Sequence, residues 1–267
     1  MFADLLPPGL VPFAGLPLWV AAAVAGANFI GFFIRGAFGF GSNVPIVLLT
    51  AWLLSPHHAI VLVMLTATVA QVHLLPQGLT NADWHVVRTV TPGLLLGIAI
   101  GTWVFAGLEA GWLILVMAAL VVFILLLDRL RLIELIAGVL PLRSAWVASG
   151  LALTGATAGT ISGGGTVYFL VVYFKLVCAS AEALRATNIA ISGLFIFLRV
   201  AGIAFTGFVE PRCLVEAALM VPAVFLGTVA GSRAFRRTSP ARFYLALQVL
   251  LLLAALSLLA KGLASVL

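Results

Sequence analysis

Charge is what this sequence has least of. Only 8% of its 267 residues are Asp, Glu, Lys or Arg, against about 25% in a soluble globular domain. Hydrophobic residues make up 64% and the mean hydropathy is +1.26, which excludes an ordinary water-soluble fold. Cysteine is nearly absent: Cys178 and Cys213 are the only two, with no CxxC, so neither a disulfide framework nor a cysteine-based metal site is indicated. No GxxxxGK[ST] motif occurs, which argues against nucleotide-driven chemistry. The opening residues MFADLLPPGL hold an acidic residue and two prolines where a secretory leader would be basic, so no cleaved signal is expected. The net charge of +6 points to cytoplasmic loops rather than to nucleic acid, because membrane proteins concentrate Lys and Arg there.

What is present is a series of apolar stretches at about 18–38, 44–55, 57–76, 86–107, 111–127, 145–161, 166–178, 181–208, 213–232 and 243–265. Most have the roughly 20 residues that cross a bilayer as a helix. The expected fold is therefore an all-α polytopic membrane protein. Two stretches, 44–55 and 166–178, are too short. At about 1.5 Å per residue they reach about 18–20 Å, against a hydrocarbon core of about 30 Å. Each follows a glycine break: Gly39-Phe40-Gly41-Ser42-Asn43, or Gly163-Gly164-Gly165-Thr166.

The order long, break, short, long, long, long occurs twice. At an offset of 124, Gly39 and Gly41 match Gly163 and Gly165, Ala59 matches Ala183, Thr68 matches Ser192 and Gly78 matches Gly202. At an offset of 130, Pro92, Gly97 and Gly101 match Pro222, Gly227 and Gly231. The expected organisation is a first repeat at 1–127, a cytoplasmic linker at 128–144 and a second repeat at 145–267. The loops holding Arg129, Arg131 and Arg143, and Arg233, Arg236, Arg237 and Arg242, carry seven of the 14 Lys and Arg, which places both in the cytoplasm. Each repeat would then be a glycine-broken re-entrant hairpin plus about three spanning helices, an odd number. The repeats come out inverted, as in many secondary transporters, with both termini outside. Trp19, Trp84, Trp112 and Trp146 lie near segment ends, as interfacial anchors do. The glycine stripes at 93, 97 and 101 and at 227 and 231 are explained by close helix packing.

Chemistry is sought first at the breaks. A helix that begins at membrane depth directs free N–H groups and a positive dipole end into the protein, which suits an anion. Ser42, Asn43 and Thr166 can cap such helices or donate to a ligand. A tight, closely packed turn would use the same glycines. On the segment 181–208, Arg185, Asn188, Ser192 and Arg199 are spaced 3, 4 and 7 and share a stripe. Arg185 can snorkel to the surface. Arg199 lies about 20 Å further in, where a charge needs a cavity or a partner. Its nearest acidic candidates, Glu182, Glu210 and Glu216, all lie near segment ends. Either the substrate is its counter-charge, or it binds carbonyls at a neighbouring helix end. The equivalent stripe in the first repeat is Met64, Thr68, Gln71 and Leu75. Asn28 and Arg35, seven apart, share a face before the first break, so Arg35 either approaches the pocket or lies against the interface. The pair His57-His58 reads as a helix start after Ser55-Pro56, and no acidic or cysteine ligand accompanies it in sequence, so no metal site is expected. A hydrolase using Ser42 or Ser162 would need a histidine base; all four histidines lie in the first repeat, and spacing alone does not test contact.

With these residues in view, the chain resembles the sulfite exporter TauE/SafE family over about residues 18–262. The resemblance rests on the duplicated order, on GAFGFGSNVP (36–45) and GTISGGGTV (159–167), on SPHHA (55–59) with ASAEA (179–183), and on PxxxxGxxxG at 92–101 and 222–231. It implies transport of small sulfur-containing anions, such as sulfite or sulfonates, across the bacterial inner (plasma) membrane. One departure is Phe40 where the second break has Gly164, which makes one half-site bulkier. The combined expectation is a secondary transporter of a small anion held at mid-membrane by Gly39, Phe40, Gly41, Ser42, Asn43, Gly163, Gly164, Gly165 and Thr166. Thr68, Gln71, Asn188 and Ser192 would orient it and Arg199 would supply charge, with Arg35 counted among the binding residues if it faces the pocket. An anion-selective channel on the same half-helices is the alternative. No enzyme activity, cofactor or nucleic acid is expected. The partners are the lipid bilayer and the anion, with room left for a coupling ion (H+ or Na+) and for a homodimer.

Overall fold

The computed structural model describes residues 7–38, 42–129, 141, 144–164, 170, 173–174, 177–235, 252–253 and 255–264, and among them there is helix but no strand. A 3-10 turn at Pro8–Leu10 precedes α1 (Leu18–Phe38), α2 (Asn43–Thr50), α3 (Pro56–Asn81), α4 (Trp84–Gly107), α5 (Ala110–Arg129), α6 (Ala145–Ile161), α7 (Ala181–Ala204) and α8 (Pro211–Phe235). An apolar helical stretch, Ala255–Ala264, lies near the C-terminal end.

Helix starts follow local chemistry. Ser55 accepts from the His58 N–H with Pro56 in the first turn of α3, Asp83 accepts from His85 and Val86 at α4, and Ser180 accepts from Ala183 at α7. These side chains satisfy N–H groups that have no partner within the helix. Within α3 the helix continues through Pro76 to Asn81, beyond the apolar stretch 57–76. Among the described residues, five segments are long and apolar enough to cross a membrane: Leu18–Gly36, Pro56–Pro76, Trp84–Gly107, Glu182–Ala204 and Pro211–Gly231. The eight residues of α2 extend only about 12 Å, so the stretch after the first break is as short as its sequence suggests. Most of 166–178 and of 236–254 lies outside the described residues.

Three helix pairs dominate the packing: α4 with α6, α1 with α8, and α3 with α7. In the first pair a β-carbon on Gly97 would meet Ala156 Cβ at 2.8 Å, and one on Gly101 would meet Thr157 O at 2.9 Å. In the second, a β-carbon on Gly227 would meet Phe29 O at 2.5 Å and Phe33 N at 3.1 Å, and Gly231 abuts the Phe33 carbonyl. Small residues thus let backbones touch, which is how helices associate without a hydrophobic drive between them. Residue numbers rise together along both contacts, so both pairs are parallel. Phe29 and Phe33 stand 124 residues before Leu153 and Thr157, the neighbours of Gly97 and Gly101, and those glycines stand 130 before Gly227 and Gly231. The two contacts are the same contact with its halves exchanged. The third pair runs the other way: Gln71 Nε2 donates to Ile189 O at 2.9 Å and Asn81 Nδ2 to Glu182 Oε1 at 3.3 Å.

The outer surface is apolar. Leu18, Trp19, Leu96, Trp103, Trp146, Phe205 and Leu226 are all exposed, which is costly in water and favourable against lipid. With five helices of membrane-crossing length and apolarity among the described residues, this makes the chain a multi-pass membrane protein.

Candidate functional site

The second break is the turn that ends α6. Gly163 has φ +81°, a conformation that only glycine adopts freely. Ser162 Oγ donates to Ala158 O at 2.7 Å and to Gly164 O at 2.6 Å. A β-carbon on Gly163 would lie 2.5 Å from Val47 Cγ2, and one on Gly164 would lie 2.5 Å from Asn43 Cβ. The second break therefore rests on the first turns of α2, the helix that follows the first break. That helix folds back along α1, where a β-carbon on Gly31 would meet Ser42 O at 2.8 Å. Ser42 is buried and donates to Asn43 Oδ1 at 2.8 Å. Gly39, Phe40, Gly41, Gly165 and Thr166 lie outside the described residues.

One arginine meets this junction directly, and a second lies in the last turn of α1, just before the first break. Arg199, 1% exposed, reaches from α7 to the end of α6, donating from Nη1 to Gly163 O at 3.2 Å and from Nη2 to Thr160 O at 3.1 Å. The carbonyls at a helix C-terminus lack intrahelical partners and form the negative end of its dipole, so a guanidinium fits there. Its Nε–H has no partner. Arg35 occupies the last turn of α1 and is 8% exposed. Its Nη2 donates to Gln71 Oε1 at 2.7 Å, while Gln71 Nε2 holds Ile189 O, so a polar chain joins α1, α3 and α7. Its Nε–H is likewise without a partner. Among the described residues no carboxylate pairs with either arginine. Glu182 takes Asn81, Glu210 takes Arg212, and Glu216 takes His58 and the Phe13 N–H.

The remaining polar candidates are less engaged. Asn188 is buried with its Oδ1 unpartnered, and so is the Oδ1 of Asn28, whose Nδ2 returns to Val24 O. Thr68 Oγ1 donates to Met64 O in its own helix at 2.8 Å, and Ser192 is half-buried. Arg185 is exposed, in keeping with a surface role. Neither Ser42 nor Ser162 hydrogen-bonds a histidine among the described residues.

Sequence spacing missed a second cluster. His58, at the start of α3, bonds Glu216 of α8 across 158 residues, and Cys213 one turn earlier on α8 completes a set. The acidic and cysteine companions that His58 lacks in sequence are thus supplied by the fold. Its neighbour His57 stacks on Phe208, with ring centroids 4.5 Å apart, and shares a hydrogen bond with Phe105 O at 3.2 Å.

A glycine turn resting on the start of α2, with two buried arginines in a bundle of membrane-length helices, suits the handling of an anion rather than covalent chemistry. The model of the sulfite exporter TauE/SafE family matches residues 6–258, nearly the whole chain. The chain belongs to the TauE/SafE sulfite exporter family. No curated protein and no solved structure matches it. Membership in TauE/SafE makes the chain one of a family of membrane transporters, not of enzymes, with sulfite or a related anion as its class of cargo.

Proposed function

We propose that this chain is a secondary transporter that carries sulfite or a small organosulfonate across a bacterial inner membrane, binding it where the two breaks meet. The observation that carries this reading is the pair of buried guanidinium groups, Arg35 and Arg199, each with a free Nε–H and no carboxylate mate among the described residues. A charge at mid-membrane costs at least about 2.5 kcal/mol, and carbonyl or amide contacts offset that only in part. An oxyanion between the two supplies the missing charge and accepts the orphan N–H groups. Asn43 and the N–H groups at the start of α2 add donors, and Asn188, Thr68 and Ser192 would orient the ligand.

An inverted repeat with halves at 1–127 and 145–267 supports alternating access. Two packing features support that architecture. The contacts α1–α8 and α4–α6 exchange under the offsets of 124 and 130. The equivalent helices α3 and α7 pack antiparallel, as they do about a two-fold axis across the helices rather than along them. Coupling to H+ or Na+ then drives the cycle.

The test is flux in proteoliposomes with sulfite, thiosulfate, sulfoacetate, taurine, sulfate and acetate. Sulfite or a sulfonate is expected to move with saturable kinetics, and Arg199→Ala to stop it. A panel on which nothing moves, or wild-type flux in Arg199→Ala, would remove the site assignment. Flux that stays proportional to concentration would mark a channel instead.

A further inference from the structure

The cluster at the start of α3 and α8 stands apart from the breaks, and it is built for a different ligand. We infer that His58, Cys213 and Glu216 form a zinc-class metal site joining the two halves of the chain. The ligand atoms, the histidine ring nitrogen, the cysteine sulfur and a carboxylate oxygen, all lie within 4.8 Å of one another. Ligands around a tetrahedral zinc stand about 3.3–3.8 Å apart, so a small inward movement of the sulfur and a small separation of the directly bonded His58 and Glu216 would admit the ion in place of their hydrogen bond.

Three further features favour a metal over a simple histidine–glutamate pair. Cys213 and Glu216 are three apart on α8 and so share a face, and both are buried, at 2% and 0% exposure. A buried carboxylate that needed only a histidine would gain nothing from a thiol at ligand distance. Glu216 Oε1 accepts from the Phe13 N–H at 2.8 Å, leaving Oε2 for the ion. Such second contacts fix a ligand's orientation in metal sites. The mixture of imidazole, thiolate and carboxylate suits zinc, while calcium and magnesium take oxygen ligands only. Three protein ligands leave a fourth position for water. His58, whose side chain is 15% exposed, provides the way in. A bound ion would tie α3 and α8 to the segment that contains Phe13.

The test uses the purified full-length chain in detergent and does not depend on transport. After metal removal, Co2+ is titrated and the thiolate-to-cobalt charge-transfer and tetrahedral visible bands are recorded, and zinc content is measured after reloading with Zn2+. One ion per chain is expected, with both bands. Cys213→Ser should lose the charge-transfer band, and Glu216→Gln should weaken binding at least tenfold. Cys178→Ser should leave both bands unchanged. Wild-type protein that shows neither band nor zinc overturns the inference and leaves a direct hydrogen bond only. A band that survives Cys213→Ser but is lost in Cys178→Ser overturns it as well. Should Cys213→Ser fail to fold, the wild-type titration alone decides.

Discussion

The two halves use the same residue type next to their breaks in opposite ways. In the first, Arg35 belongs to the helix that breaks and reaches out to Gln71 on α3. In the second, Arg199 belongs to the long helix α7 and reaches back to the broken end of α6. Both join a break to the long helix that follows it, but the consequences differ. The Arg199 link stays inside its own half and holds the turn at Gly163. The Arg35 link continues through Gln71 to Ile189 O and so crosses between the halves. If the halves move against each other during transport, the Arg35 chain must yield, and the Arg199 clamp need not. One arginine closes a turn within its own half, and the other belongs to a hydrogen-bonded chain that crosses to the other half.

Substitutions can break this comparison, beginning with the clamp. Arg199→Ala frees two buried carbonyls and removes the charge. Hydrogen bonds to charged groups are worth about 1.5–3 kcal/mol each, so thermal unfolding in detergent should show a loss of about 3 kcal/mol together with loss of flux. Arg199→Lys keeps the charge but not the fork, and should recover part of the stability. If Arg199→Ala melts like wild type, the clamp is not holding the turn.

Next is the turn itself. Gly163→Ala faces both a positive φ and Val47, and Gly164→Ala faces Asn43. Overpacking costs about 1–3 kcal/mol, and the left-handed backbone adds about 1–2 kcal/mol at Gly163. Pairing Gly164→Ala with Asn43→Gly should restore stability. Pairing Gly163→Ala with Val47→Ala should restore it only in part, because space returns and φ does not. Equal rescue of both would show that the backbone of Gly163 is unstrained.

In the crossing chain, Gln71→Glu gives Arg35 the carboxylate it lacks. Charge competition should raise the KM for sulfite about tenfold or more, with a smaller change in melting temperature, since only the bond to Ile189 O is lost. An unchanged KM would take Arg35 out of the site. The smallest effects are expected at Thr68→Ala and Ser192→Ala, within about 0.5 kcal/mol in stability. Thr68 already bonds its own helix, so a change in flux there would report on ligand contact rather than on folding.

Much of the fold could be read from spacing, because helix length, glycine punctuation and the two offsets are properties of the chain itself. The shortness of α2 and the packing role of Gly97, Gly101, Gly227 and Gly231 follow directly. The acceptors of Arg199 did not, although helix-end carbonyls stood among its alternatives, since the choice depends on where α6 ends and how it turns. Gln71 was visible as polar but not as the partner of Arg35, because only tertiary packing brings α1 against α3. His58 and Glu216, 158 residues apart, carried no joint signal at all. Next to His58 in sequence there is no acidic residue or cysteine, and its companions come only from α8.

The central claim is that Arg35 and Arg199 provide the counter-charge for the transported anion, and ligand-induced stabilisation of the purified protein tests it most directly. A ligand that binds only the folded state stabilises it by about 2.7 kcal/mol at a hundred times its Kd, whatever the starting stability of a variant. The prediction is a melting temperature that rises with sulfite concentration in wild type, and a rise lost in both Arg35→Ala and Arg199→Ala even where those variants remain folded. A shift of full size in the two variants, or none in wild type, would contradict it.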